Sequence, residues 1–157
     1  MKMNRMSTRT MAALLVVLPL SLTACAPEID TQLMLTARAG GKSLRVRTLL
    51  NAGADANTTT IRGFTVLLYP AAVGDAETVQ ALIEGGAQID RSSSMGRETY
   101  TPLIYAVRGG HKVTVRVLLE GGADVNAERR GTTPLKMARS QGHTHLEQLL
   151  LEAGAVE

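Results

Sequence analysis

The chain is 157 residues long, one small domain's worth, and carries a formal charge of +3. That excess sits at the start: without Lys2, Arg5 and Arg9 the 17 basic residues fall to 14, equal to the 14 acidic ones. The remainder therefore offers no net charge for binding DNA or RNA, and a single cysteine, Cys25, excludes a disulfide framework.

Residues 1–24 divide into a basic start (MKMNRMSTR), an apolar run over residues 11–22 broken by Pro19, and small residues. That is the layout of an export signal, and the run falls short of the ~20 apolar residues that a spanning helix needs. ACA (24–26) fits the small-x-small rule of ordinary signal cleavage, but a cut after Ala26 places Pro27 beside the scissile bond. LTAC (22–25) resembles instead the lipobox of bacterial lipoproteins. The resemblance implies that Cys25 becomes the first mature residue and carries lipid, each buried methylene adding ~0.8 kcal/mol of membrane affinity. Ala26 stands where an aspartate commonly retains such proteins at the inner membrane, so attachment to the outer membrane, facing the periplasm, is expected; a soluble periplasmic form is the alternative. Residues 25–29 then act as a short tether, with at most ~20 Å between Cys25 and Thr31 when extended.

From residue 30 to 157 the chain repeats itself. Four segments align on Thr31, Thr65, Thr101 and Thr133, at intervals of 34, 36 and 32 residues, with approximate bounds 30–62, 63–95, 96–130 and 131–157. The first copy has an extra residue around Gly40-Gly41. In the second, Pro70 falls deep in the first helix, where a lost backbone bond costs ~3 kcal/mol, so that helix is expected to be short or displaced. The third predicts a helix capped by Thr101 with Pro102 at its first position and Leu103 and Ala106 on one face. A second helix follows over residues 112–120, with Val113, Val117 and Leu118 expected inward, and Gly121-Gly122 ends it. Between the second and third copies, DRSSSMGRETY is longer than the other connections and is expected to protrude. The fourth copy can close the stack with Glu147, Gln148 and Glu152 toward water. One such hairpin cannot bury its apolar face alone, so the units must stack.

TPL, GGH or QGH, and VLLEGGADVNA in the third and fourth copies resemble the ankyrin repeat, as do the paired residues Leu49-Leu50, Leu82-Ile83, Leu118-Leu119 and Leu150-Leu151. The resemblance covers about residues 30–156. It implies an all-α ankyrin-repeat solenoid of about four helix-turn-helix units with β-hairpin-like connecting loops. Gln32, in place of proline, departs from the pattern as a terminal cap does.

Catalytic signatures are missing. TARAGGKS (36–43) ends like a phosphate-binding loop, but Thr36 replaces the first glycine and no strand precedes it. His143, His145 and Glu147 are too sparse and poorly spaced for a metal site, and neither G-x-S-x-G nor H-E-x-x-H occurs. The chain is read as a non-enzyme with no cofactor, no metal and no small-molecule substrate.

Ankyrin arrays bind proteins through hairpin tips and the exposed faces of first helices. By resemblance those positions are Ile61, Arg62 and Phe64, then Met95, Arg97, Glu98 and Tyr100, then Glu128, Arg129, Arg130 and Thr132, with Arg38 and Arg108 near the ends of first helices. Arginine and aromatic residues are over-represented where binding energy concentrates. An acidic protein partner is expected, with an acidic remainder on the second helices (Asp75, Glu77, Glu84, Glu120, Glu147) and a monomeric, lipid-anchored array. What small periplasmic ankyrin proteins and lipoproteins do implies an antagonist of a periplasmic toxin or lipase effector. An envelope scaffold that supports a periplasmic enzyme under stress, and a cytosolic ankyrin effector, are the alternatives.

Overall fold

The structure, a computed structural model, describes residues 26–93 and 99–156. The export signal, Cys25, Met95, Arg97 and Glu98 lie outside the described residues. Among those described, eight helices form four pairs: α1 (Ala26–Ala39) with α2 (Ser43–Asn51), α3 (Leu68–Val73) with α4 (Ala76–Glu84), α5 (Pro102–Arg108) with α6 (Lys112–Glu120), and α7 (Pro134–Gln141) with α8 (Thr144–Glu152). The first helices α1, α3, α5 and α7 pack side by side in one row; α2, α4 and α6 form a second, and α8 closes against α7. No described helix is long and apolar enough to cross a membrane. The all-α solenoid of four units is therefore observed, and its connecting loops carry isolated β-bridges between Thr59 and Thr65 and between Arg129 and Thr132.

One position in each unit anchors the core. Leu33, Leu67, Leu103 and Leu135, each two residues after the repeat threonine, are at most 1 % exposed. Leu82, Leu118 and Leu150 are fully buried on the second helices of their units, each followed by a less buried partner. Truncating such a leucine to alanine costs about 2–5 kcal/mol. Thr101 accepts from the Ile104 N–H and Thr133 from the Lys136 N–H, with Pro102 and Pro134 in the first helical turn. The expected caps are thus in place.

Three local expectations are refined. Pro70 lies in the first turn of α3, which starts three residues after Thr65, whereas α5 and α7 start directly after their threonines. The shortened start puts proline where no intrahelical N–H is needed. It also costs a cap: the Leu68 N–H turns to the Thr65 carbonyl (3.2 Å), leaving the buried Thr65 hydroxyl without a partner among the described residues. In α6, Val113 is 67 % exposed and Val115 fully buried, so the inward reading of Val113 is corrected. The buried face is centred on Thr114, Val115 and Leu118, with Val117 at its edge. Finally, residues 26–29 are the first turn of α1, which runs helically from Ala26 into the first repeat.

A polar ladder joins the repeats. Asn57 accepts from the Gln88 N–H (2.7 Å) and donates to the Gly86 carbonyl (3.1 Å), and Asn126 does the same with Val156 (2.9 Å) and Gly154 (3.2 Å). Aspartates hold the corresponding places elsewhere: Asp30 accepts from the Asp55 N–H and Asp90 from the Asp124 N–H. Every junction therefore satisfies a backbone donor that the loop leaves open.

Candidate protein-binding groove

The groove is built from hairpins that lean over the first helices. In the first hairpin the Thr60 N–H donates to the Phe64 carbonyl (2.9 Å) and the Gly63 N–H to the Thr60 carbonyl (2.8 Å), leaving Ile61 and Arg62 at the tip. Ile61 is 96 % exposed. In the hairpin before α7, Arg129 and Thr132 exchange two backbone bonds around Arg130 and Gly131, whose φ angles of 55° and 73° are both positive. That is a type I′ turn, a shape usually built from asparagine or glycine.

All four aromatic residues of the chain lie on this side, in two pairs of the same register. Phe64 meets Tyr69 with ring centroids 6.3 Å apart, and Tyr100 meets Tyr105 edge-on at 5.8 Å. Such pairs are worth ~0.5–1.5 kcal/mol beyond their burial. Arg38 holds its guanidinium 6.0 Å from the Tyr69 ring centroid, within cation–π range.

The residues named from sequence divide by role. Arg38, Arg62, Arg108 and Arg130 are exposed, while Phe64 and Tyr100 are half-buried in their pairs. Arg129 is turned inward: Nε donates to Ser92 Oγ (3.4 Å) and Nη1 to the Glu128 carbonyl (2.9 Å), so it braces the hairpin. The positions of Tyr69, Tyr105, Leu35 and Lys136 were missed. A signal for the two tyrosines existed, since each follows its repeat threonine by four residues.

Two hollows open along the groove. One, of about 480 Å³, lies between α1, the first hairpin and α3, where Met34, Leu35, Ile61 and Tyr69 supply apolar surface beside Asp30, Arg38 and four threonines. The other, of about 490 Å³, lies between α5 and α7 and is lined by Tyr100, Arg108, Thr132, Lys136, Ser140 and Gln141 among others, with no carboxylate among its described lining residues. Lys136 Nζ donates once, to the Gly131 carbonyl (3.2 Å).

The opposite face is mixed in charge, which corrects the expected acidic remainder. Glu77 and Glu84 lie on α4 and Glu147 and Glu152 on α8, but α2 carries Arg45 and Arg47 with no acid, and α6 carries Lys112 and Arg116 beside Glu120. Opposite signs on neighbouring helices pair across the stack in Arg47 with Glu84, and the Ser43 hydroxyl donates to Glu77 (3.0 Å).

The phosphate-loop resemblance has a structural meaning instead. The Gly41 N–H donates to Asp75 Oδ2 at 2.6 Å, so this backbone donor is already engaged. His111 and His143 reach back one repeat, with Nε2 at 3.1 Å from the Ala72 carbonyl and 3.4 Å from the Arg108 carbonyl. Among the described residues, no three His, Cys, Asp or Glu side chains gather as metal ligands.

A family model of three ankyrin-repeat copies matches residues 33–129 and again 92–156. No curated protein matches the chain. The matched stretches together run from Leu33 to Val156, over the same four helix pairs whose first-helix row carries the groove, and the chain belongs to the ankyrin-repeat family.

Proposed function

We propose that this ankyrin array, by family a protein-interaction module, holds an acidic protein partner in its concave groove while Cys25 anchors it by lipid to the periplasmic face of the outer membrane. Its role there is antagonism: capture of a toxin or lipase effector arriving in the periplasm, as an immunity protein does. The observation that carries the reading is the duplicated pairing of Phe64 with Tyr69 and of Tyr100 with Tyr105, flanked by exposed Arg38, Arg62, Arg108 and Arg130. Aromatic and arginine side chains together supply the apolar area and charge on which interface hot spots rest. The anchor suits that geometry. α1 begins at Ala26, beside Cys25, and a 14-residue helix is only ~21 Å long, so an anchored array stays close to the bilayer.

The test is a pull-down from the native envelope with lipidated full-length protein in mild detergent, beside an Arg62/Phe64/Tyr100 triple alanine variant. One acidic partner retained by the first and lost by the second is expected, together with protection of cells against that partner. Identical captures by both proteins sink the groove reading. A mature N-terminus whose mass shows no lipid on Cys25 removes the anchor.

A further inference from the structure

The connections of the array lean on one another in a fixed direction. Arg129 Nε, in the hairpin before α7, donates to Ser92 Oγ (3.4 Å), and the neighbouring Ser93 Oγ donates to the Arg62 carbonyl (3.5 Å). Each connection therefore rests on the one before it. The row stops at the first hairpin: among the described residues α1 runs helically from Ala26, and no hairpin stands ahead of it. Counted back two residues from the positive-φ glycine of each turn, Gly63 and Gly131, Ile61 holds the place of Arg129. With no preceding hairpin to lean on, it is 96 % exposed. Ile61 lines one hollow with Asp30 and Thr31, which lie only ~6–8 Å along the axis of α1 from Ala26. Ala26 directly follows Cys25, so the exposed tip is beside the lipidation position. The hollow mixes apolar surface with Asp30, Arg38 and four threonines. That mixture suits the headgroup layer of a bilayer, where polar and apolar groups meet, rather than its hydrocarbon interior.

We infer that the bilayer carrying the lipid of Cys25 takes the place of the missing preceding hairpin: the tip of the first hairpin docks on it, and the Ile61 side chain enters the boundary between headgroups and acyl chains. This rests on the lipid-anchor reading above and adds a second attachment, which fixes how the array stands on the membrane. One isoleucine alone gives marginal membrane binding, as even a single acyl chain does. Once the lipid has delivered the array, the second contact is intramolecular and gains the effective concentration of a tethered site. The row of hairpins then runs away from the bilayer. Neighbouring helices pack about 8–10 Å apart, which puts the hairpin before α7 ~16–20 Å farther out than the first. Phe64 and Tyr100 stay paired with Tyr69 and Tyr105 inside the groove, so membrane and partner meet different parts of the array.

The experiment uses the lipidated full chain in vesicles of phosphatidylethanolamine and phosphatidylglycerol. A lipid on the Cys25 sulfur leaves no free thiol, and the chain has no other cysteine. Ile61→Cys, and Glu128→Cys as the comparison, therefore each give one site for an environment-sensitive fluorophore, at positions that are both exposed. Lipids bearing a nitroxide at the headgroup boundary are expected to quench the probe at position 61 about threefold or more above the probe at 128, given their separation along the row. With the probe moved to the exposed Thr59 by Thr59→Cys, adding Ile61→Asp is expected to lower the quenching about twofold or more, since a carboxylate resists entering the boundary. Equal thermal midpoints with and without Ile61→Asp establish that the surface, not the fold, has changed. Equal quenching at 61 and 128, or no response to Ile61→Asp, overturns the inference. So does a probe at 61 that vesicles leave in water and that is shielded only when the envelope partner is added, which assigns the tip to that partner. Failure of the anchor is distinct: a mass without lipid on Cys25 removes the anchor and this inference together, whereas lipid on Cys25 with position 61 in water removes the second attachment alone.

Discussion

Asp75 Oδ2 accepts the Gly41 N–H at 2.6 Å while its carboxylate also caps α4 through the Thr78 N–H (3.1 Å) and hydroxyl (2.8 Å). Where the third and fourth repeats use histidine to reach a carbonyl of the preceding repeat, the second uses aspartate to reach an N–H. The change of partner matches the turn it meets: Gly40 and Gly41 both have positive φ (66° and 63°), and the Gly41 amide points toward α4. Asp75 therefore compensates for the extra residue in the first repeat.

Burial pushes the Asp75 carboxyl up, but the bonds from the Thr78 hydroxyl, the Thr78 N–H and the Gly41 N–H outweigh it and hold the group below the ordinary 3.8. A depressed value means that the stabilisation is present above the unfolded-state pKa and disappears as pH falls through the folded one. Asp75→Ala is expected to cost about 1–2 kcal/mol at neutral pH, the worth of a cap plus a cross-repeat bond. Urea unfolding should show this difference shrinking as pH drops below about 4; a gap that stays constant with pH removes the carboxylate from the account.

Asp90 behaves in the opposite sense. Burial raises its carboxyl above 3.8, and the Asp124 carboxylate adds to the rise, against lowering by the Asp124 N–H and by Arg129. A raised value means that protonation favours the folded chain, so stability is lost as pH climbs from the unfolded to the folded pKa. Asn57 and Asn126 occupy the corresponding places and donate to glycine carbonyls, which an ionised Asp90 cannot do. Asp90→Asn is expected to stabilise the array at neutral pH by about 0.5–1.5 kcal/mol, the range of one added hydrogen bond. Its thermal midpoint should also lose the decline that the native chain shows as pH rises above about 4. A lowered midpoint at pH 7 contradicts this.

The helix pairs were legible because each unit states its own boundaries: Thr101-Pro102 and Thr133-Pro134 start helices, and Gly109 and Gly142 stop them. Periodicity within nine residues was less decisive. Val113 and Val115 are both β-branched, and only the direction of the neighbouring α5 says which one faces inward. Nor did Asp30, Asn57, Asp90 and Asn126 stand out, since their role is to bond backbone in the next unit and that contact exists only after stacking. In the groove, Phe64 and Tyr100 were found from the hairpin positions. Tyr69 and Tyr105 were hidden by sitting on first helices, among residues that mostly serve the core.

Gly109 and His111 form a steric pair whose consequence can be measured. A Cβ at Gly109 would fall well inside contact distance of the His111 ring, although Gly109 itself has an ordinary helical φ of −80°. Gly109→Ala should force the ring aside, break its bond to the Ala72 carbonyl and destabilise the chain by about 1 kcal/mol, where an alanine in helical conformation would otherwise help. In a double-mutant cycle with His111→Ala the second substitution should cost little once the first is made. Additive effects would mean that the two residues act independently.

Thr114 offers the converse case. Thr78, at the same place in α4, donates to Asp75, but the residue that precedes α6 is His111, whose ring reaches back to Ala72. The Thr114 hydroxyl is thereby buried without a partner among the described residues, and Leu146 fills the matching place in α8. Thr114→Val is expected to stabilise by about 1 kcal/mol, the cost of a buried unpaired hydroxyl, as read from the urea midpoint at unchanged slope. A loss of stability instead would point to an unseen bond at that oxygen.

Arg130 connects stability with binding. It holds φ at 55°, in a turn position where an L side chain other than asparagine or aspartate costs about 1 kcal/mol, yet it is exposed and its neighbour Arg129 already braces the hairpin. Local strain retained at an exposed, charged tip next to a cationic hollow has a reason if the guanidinium meets a partner. Arg130→Asn keeps the turn and relieves the strain, so the thermal midpoint should rise, by the equivalent of about 0.5–1 kcal/mol. If the tip contacts an acidic partner, the same substitution should weaken capture several-fold and reduce its salt dependence, because one cation has left the interface. A variant that gains stability and binds as before would assign Arg130 to solvent.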